Sequence, residues 1–369
     1  IAGEPPMGDN HHLYRHIRKS LMQIYPKQLT GRQAQQMNTL SGMISGIVRS
    51  GKSQMRAMAK SAPDRSKVES RIKRFTRFTQ NEGVDTTTYF MPFLTPLLIG
   101  LARSGPLVLA IDGSEVGRNC LALVISVIYK KRALPLVWIV VQGSKGHFPE
   151  ETHVQLVQAV KPCIPDGADV IFLGDGEFDG IGLQAEIAQN DWQYVFRTAC
   201  NRLLNDDGDE FSLREIHLQP GDCLAIPEVG FTQANYGPVL VLAWWHRDYR
   251  EPLYLVSNMD LAEEACHWYA RRFRIETFFS DQKSRGFHLH KSHISDPERM
   301  SRLLIAACLA YIWIIYLGVI AKQEKWVAII HRPDRCDLSL FQLGLDLLEH
   351  FLNESLPIPV SFQMPIESN

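Results

Sequence analysis

Closely spaced cysteines are missing from this 369-residue chain: its seven thiols, at positions 120, 163, 200, 223, 266, 308 and 336, include no C-x2-C pair. An odd and scattered set excludes a cysteine-based zinc cluster and a disulfide framework, and reads as reduced thiols of a cytoplasmic protein. Glycine (25) and proline (20) are too few for a collagenous or low-complexity chain. No internal repeat is visible. No charged-then-apolar leader opens the sequence either, and Ile1 to Pro6, ahead of Met7, read as residues added before the natural start. What remains is an ordinary globular composition, 45% hydrophobic and 21% charged, long enough for two or three folded units at roughly 100–200 residues each.

Net charge is also nearly absent, at −1, but the balance hides an asymmetry. Residues 1–105 hold 16 Lys and Arg against 6 Asp and Glu, a net of +10, and the remainder carries −11. A basic third on an acidic body points to a polyanionic partner for the basic part. Its densest stretch, Lys52 to Arg77, has nine basic against two acidic residues. Within SRIKRFTRF, Phe75 and Phe78 interleave with Arg71, Lys73, Arg74 and Arg77, so the rings can pack while the cations face out, as a solvated face or as a phosphate-contacting surface.

Leu303 to Ile320 is the one long uncharged run. Its 18 residues meet the length test for a membrane span. With charge-rich sequence on both sides, a buried core helix is the expectation, and no membrane partner is assigned.

Residues 11–105 read as short helices, with Leu13, Ile17, Leu21 and Ile24, then Met37 to Val48, then Ser66 to Phe78 at helical spacing. At Pro106 the pattern changes. PLVLAIDG, CLALVISVIY and LPLVWIVV read as an antiparallel meander, the first strand ending in Asp112 and Gly113. A helix over Glu151 to Val160, a strand ending at Asp175, a helix near Ile181 to Gln189 and a strand at Tyr194 to Arg197 complete a mixed sheet with helices packed on it. Arg202 to Leu255, with turn clusters NDDGDE, QPGD and ANYG, reads as a β-rich insertion. Asp260 and Glu263 resemble a capping box that opens a helical region running to Gly286.

The strongest chemical feature is WYARRFRIETFFSDQK. At about 100° per residue, Tyr269, Arg272, Glu276 and Lys283 fall within roughly a 60° arc of one helix. A carboxylate flanked by two cations and a phenol suits metal and phosphate; an ion-paired surface helix is the plain alternative. Asp112 and Asp175 each follow an apolar strand in an Asp-Gly step, where they can converge with Glu276 on one crevice. Three convergent carboxylates can bind two Mg²⁺ ions. Glu115, Glu177 and Asp179 are nearby decoys, and strand-end placement favours Asp112 and Asp175. His288, His290 and His293 have zinc-like spacing but no partnering Cys pair, and stay outside the metal set.

With Asp112 in AIDGS, Asp175 in FLGDGEFDG and an ungapped Y-x2-R-x3-E-x6-K over Tyr269 to Lys283, the sequence resembles the DDE transposases of bacterial insertion sequences, cut-and-paste group. The resemblance covers roughly residues 40 to 320. It implies an α/β fold: a ribonuclease H-like mixed-sheet catalytic core with a β-rich insertion, behind an all-α N-terminal domain that binds the terminal inverted repeats of the element. The corresponding divisions are 7–105 (end-binding helices), 106–200 and 257–322 (core), 201–256 (insertion) and 323–369 (C-terminal helical segment, offered as a dimer contact through LGLDLLEHFL).

By the same resemblance, Asp112, Asp175 and Glu276 ligate two Mg²⁺, for which Mn²⁺ substitutes, and Tyr269, Arg272 and Lys283 contact phosphates. Cleavage runs through a DNA hairpin and is followed by transfer into target DNA. The implied partners are double-stranded DNA and a second copy of the chain in a synaptic complex, with nucleoid association when DNA is bound. Arg71, Lys73, Arg74 and Arg77 are candidates for end binding. Trp245, on the insertion beside Trp244 and before Tyr254, is the candidate to stack a flipped base. A metal-dependent nuclease on the same fold and a DNA-binding protein with a decayed site are the competing readings.

Overall fold

The apolar spacing of the first hundred residues folds as its period requires. The structure, a computed structural model, describes residues 9–25, 29–63, 66–143, 148–332 and 335–365; Ile1 to Pro6 lie outside them. Six helices come first: α1 (Asp9–Gln23), α2 (Gly31–Ser50), α3 (Met55–Ser61), α4 (Val68–Gln80), α5 (Thr86–Tyr89) and α6 (Met91–Ala102). Leu13, Ile17 and Leu21 are the buried stripe of α1, and Met37, Leu40, Ile44 and Ile47 that of α2. On α4, Phe75 and Phe78 are buried while Lys73, Arg74 and Arg77 face out. Arg71 corrects the reading of four outward cations. It stands four and seven residues before those rings, on the same stripe, and is buried with its guanidinium donating to the Ala62 carbonyl at 3.1 Å.

The meander forms as β1 (Leu107–Gly117), β2 (Cys120–Tyr129) and β3 (Arg132–Gln142), all antiparallel neighbours. After α7 (Glu150–Val160), β4 (Val170–Gly174) pairs parallel to β1; after α8 (Ile181–Ala188), β5 (Gln193–Thr198) pairs parallel to β4. The next segment supplies β6 (Leu203–Asp206), β7 (Asp209–Ser212), β8 (Cys223–Phe231), β9 (Tyr236–Trp244) and β10 (Leu253–Ser257). The β6–β7 hairpin turns on Asp207 and Gly208, both at positive φ, the conformation of a two-residue hairpin loop. This segment is β-rich as expected, yet it forms no separate sheet. β10 pairs antiparallel to β5, so among the described residues one ten-stranded sheet runs β3-β2-β1-β4-β5-β10-β9-β8-β6-β7.

Five helices follow: α9 (Ala262–Tyr269), α10 (Arg274–Gln282), α11 (Pro297–Gln323), α12 (Val327–Ile330) and α13 (Leu340–Asn353). Two expectations about this region are corrected. Leu261 occupies the N-cap of α9 with no side-chain cap bond, so Asp260 and Glu263 form no capping box. The helix also breaks over residues 270–273, where i→i−3 bonds such as Arg272 N–H to Tyr269 C=O and Ile275 N–H to Arg272 C=O replace the α-helical ladder.

The long apolar run is α11, long and apolar enough to cross a membrane but 89% buried over its apolar window. It is the central core helix. One buried cluster runs from Leu13 through the sheet and α11 to Met364, so the N-terminal helices share this core. α13 lies so close to α11 that a Cβ on Gly344 would collide with the Ile314 carbonyl. Leu340, Phe341, Leu343, Leu347 and Phe351 of α13 are consequently buried within the chain itself, and the face offered for dimerisation is already covered.

Candidate active site

The site begins where the sheet changes from antiparallel to parallel pairing. The β1–β4 ladder ends at Ala110 opposite Leu173, and the same register carried two residues on sets Asp112 opposite Asp175. Asp175 stands just past β4, as its sequence suggests. Asp112 does not end its strand, because β1 continues to Gly117 and Asp112 pairs with Val124 of β2. One Asp112 carboxylate oxygen accepts the Gly113 N–H at 2.7 Å, and Asp175 accepts that of Glu177 at 3.0 Å. Burial, then the Asp175 charge, push the Asp112 carboxyl up to about 7, while Arg272 pulls the other way.

The α9–α10 break presents the signature residues to these carboxylates from two short helices instead of one face. Tyr269 closes α9 and is buried; burial raises its phenol, with Arg272 and Arg197 opposing. Arg272 sits in the break with its guanidinium 3.9 Å from Asp112 and 3.6 Å from Glu276. It is buried and stacks at 4.3 Å on the exposed Phe273 ring, while its Nε finds no acceptor. Glu276, 58% exposed, lies in the first turn of α10, where the helix dipole favours an anion. Lys283 caps the other end and donates to Ser114 Oγ at 2.7 Å; burial lowers its ammonium, offset by Glu115 and Asp112.

Two participants escaped sequence reasoning. Ser114 stands two residues beyond Asp112 on the same strand face, a relation the DGS step contains once β1 is known to continue. Arg197, near the end of β5, places a partly exposed cation within electrostatic reach of Tyr269. A buried clamp holds α10 from behind: Arg132 of β3 pairs with Asp281 at 2.9 Å, and Tyr311 of α11 approaches the same oxygen at 3.4 Å. Burial pushes Asp281 up to about 6 against the pull of Arg132.

Two of the three decoys are committed elsewhere, while Glu115 is exposed and within electrostatic reach of Lys283. Asp179 is buried and accepts Thr198 and both arms of Arg202. Glu177 accepts the Phe148 N–H at 2.7 Å and lies 3.7 Å from His153. The Trp245 indole donates to the Tyr249 carbonyl at 3.1 Å, inside its own loop after β9. Among the described residues no three His, Cys, Asp or Glu side chains stand together as a metal cage. The donor set nonetheless suits a hard cation. Its oxygens are carboxylate, Asp112 is held above its ordinary range by burial and by the neighbouring Asp175 charge, which a bound cation would offset, and a guanidinium stands between Asp112 and Glu276.

Hard oxygen donors facing fixed cations and a phenol make a site suited to phosphate-ester chemistry. The chain belongs to the transposase DDE domain family, whose model matches residues 104–313, more than half of the chain. Membership makes it an enzyme of the nuclease and transesterase type. No curated protein matches. Among solved structures, it is similar to a piggyBac transposase in a synaptic complex with hairpin DNA, at 13% identity and TM-score 0.45, over 95% of this chain and 79% of that one. It is also similar to the catalytic domain of human endonuclease V, at 17% identity and TM-score 0.27, over 52% of this chain and 81% of that one. The family assignment rests on the domain match alone.

Proposed function

We propose that the chain is the transposase of a bacterial insertion sequence, of the cut-and-paste group with the Y-x2-R-x3-E-x6-K signature, acting through a ribonuclease H-like core. The observation that carries this reading is Arg272, lying between Asp112 and Glu276 beside the strand end that sets Asp112 opposite Asp175. Asp112, Asp175 and Glu276 would hold two Mg²⁺, or Mn²⁺ in their place. When bound, such ions lower the pKa of water and neutralise charge on the leaving oxygen.

The chain's own groups do the rest. Arg272 and Lys283 bind phosphate oxygens, and the Tyr269 hydroxyl stays protonated and donates. The basic N-terminal helices bind the terminal inverted repeats, and two copies bring two ends together in the cytoplasm. Water hydrolyses one strand at the element's end, and the 3′-hydroxyl so freed attacks the phosphodiester of the opposite strand, displacing the flanking DNA's 3′-oxygen to close a hairpin. Water hydrolyses the hairpin open, and the same 3′-hydroxyl then attacks a target phosphodiester and displaces a 3′-oxygen there.

The test is incubation with duplex carrying the native element's end and Mg²⁺, followed by a denaturing gel. Hairpin and joined strands support the proposal. A nick without joining favours a nuclease, and tight binding without cleavage favours a decayed site.

A further inference from the structure

The two aspartates of the site are not joined by the sheet that carries them. The β1–β4 ladder makes its last pair at Ala110 and Leu173, short of both Asp112 and Asp175. What spans the remaining gap is Phe148, buried just before α7. Its backbone N–H donates to a Glu177 carboxylate oxygen at 2.7 Å, and the N–H of Glu177 donates in turn to Asp175 at 3.0 Å. Its ring lies against Gly113, whose N–H donates to Asp112 at 2.7 Å. Through its backbone and its ring, one residue therefore grips the two residues whose amides hold the two carboxylates.

The local sequence permits this close approach. Successive strand residues face opposite sides of a sheet, so Phe148 covers Gly113 on the side away from the Asp112 side chain. A Cβ on Gly113 would stand 3.0 Å from Cε2 of Phe148, tighter than ordinary carbon contact, and glycine leaves that space to the ring. The loop after β4 is equally confined. A Cβ on Gly174 would meet Cβ of Phe178 at 2.7 Å, and the Phe178 N–H donates to the Asp175 carbonyl at 3.0 Å. The Phe178 ring packs at 4.8 Å on the buried His153 of α7, which stands 3.7 Å from Glu177.

The geometry points to Phe148 and Glu177 as positioning residues that fix the separation of Asp112 and Asp175, and with it the fit of the site for a divalent cation. Glu177 acts through Asp175, and Phe148 through Gly113 and Asp112. The inference rests on the metal-dependent transposase reading, and it gives a task to Glu177, which the sequence alone offers as a rival ligand. Residues that hold metal ligands from behind typically carry about 10–100-fold in metal affinity.

The experiment is calorimetric titration of the full chain with Mn²⁺, with urea titration to verify folding of each variant. Glu177→Ala, which deletes the acceptor for Phe148, should weaken Mn²⁺ binding by about tenfold or more. Glu177→Gln keeps an oxygen that accepts the Phe148 N–H and should bind near wild type, a rescue that a charged ligand would not show. Phe148→Ala keeps the N–H but removes the ring, and should weaken binding too; if it does not fold, the Glu177 pair decides. Glu151→Ala removes an exposed carboxylate of α7 outside this contact and should leave binding unchanged. In cleavage of the element's end, Glu177→Ala should require more Mn²⁺ while reaching the wild-type rate at saturation. If Glu177→Gln loses binding as Glu177→Ala does, Glu177 acts as a ligand and the positioning role is overturned. If Glu177→Ala and Phe148→Ala bind as Glu151→Ala does while Asp112→Asn loses binding, the positioning role is overturned and the metal reading stands. If the unaltered chain shows no Mn²⁺ binding that Asp112→Asn removes, the metal reading falls and the inference with it.

Discussion

The two halves of the single sheet differ in what covers them. In β3-β2-β1-β4-β5 the strands are mostly buried, β4 along its whole length, beneath α10, α11 and the N-terminal helices. In β10-β9-β8-β6-β7 the pairing is antiparallel, β7 has no buried residue and β8 exposes most of its length. The parallel pairs occur only in the covered half, as expected for strands that need both faces packed. That is where the carboxylates stand. Chemistry that needs fixed, half-buried charges is built against the covered half, and β7 and β8 of the other half are surface.

The contrast is broken most severely by attacking what holds α10 to the covered half. Arg132→Met strands the buried Asp281 carboxylate, and urea titration should show a loss of about 3–5 kcal/mol. Phe172→Ala in β4 should cost a similar 3–5 kcal/mol through the cavity it leaves. The Asp112 carboxyl sharpens the comparison through pH. Its folded value, about 7, lies above the unfolded value near 4, so its contribution is complete below about pH 4 and is lost as pH rises through 7. In chelator, stability should fall over that window by on the order of 2–4 kcal/mol, and Asp112→Asn should flatten the slope in thermal melts. At the small end, Leu224→Ser on exposed β8 should change stability by less than about 0.5 kcal/mol.

Local patterns made much of the covered half legible. The apolar runs of β1 to β5 are dense enough to read as strands, and Asp175 follows one of them directly. The continuation of β1 through Asp112 was hidden because Asp-Gly usually signals a turn, and only pairing with β2 overrides it. The break at residues 270–273 was hidden for the opposite reason: Ala270, Arg271, Arg272 and Phe273 contain no helix breaker. Packing imposes it, as Tyr269 and Arg272 turn in toward the aspartates. The union of the insertion with the core sheet depends on β10 meeting β5, a long-range pairing that no window of sequence contains. Arg71 failed as a surface cation because charge outweighed its place on the Phe75–Phe78 stripe in the reading.

The most direct test of the central claim, that Asp112, Asp175 and Glu276 form one catalytic site, is strand cleavage of the native element's end in Mg²⁺ by Glu276→Gln. Glu276 is exposed and its replacement is isosteric, so folding and end binding should be retained in a mobility-shift assay. The account predicts that cleavage is abolished while binding persists. Cleavage at the wild-type rate by a clean preparation of the variant would contradict it.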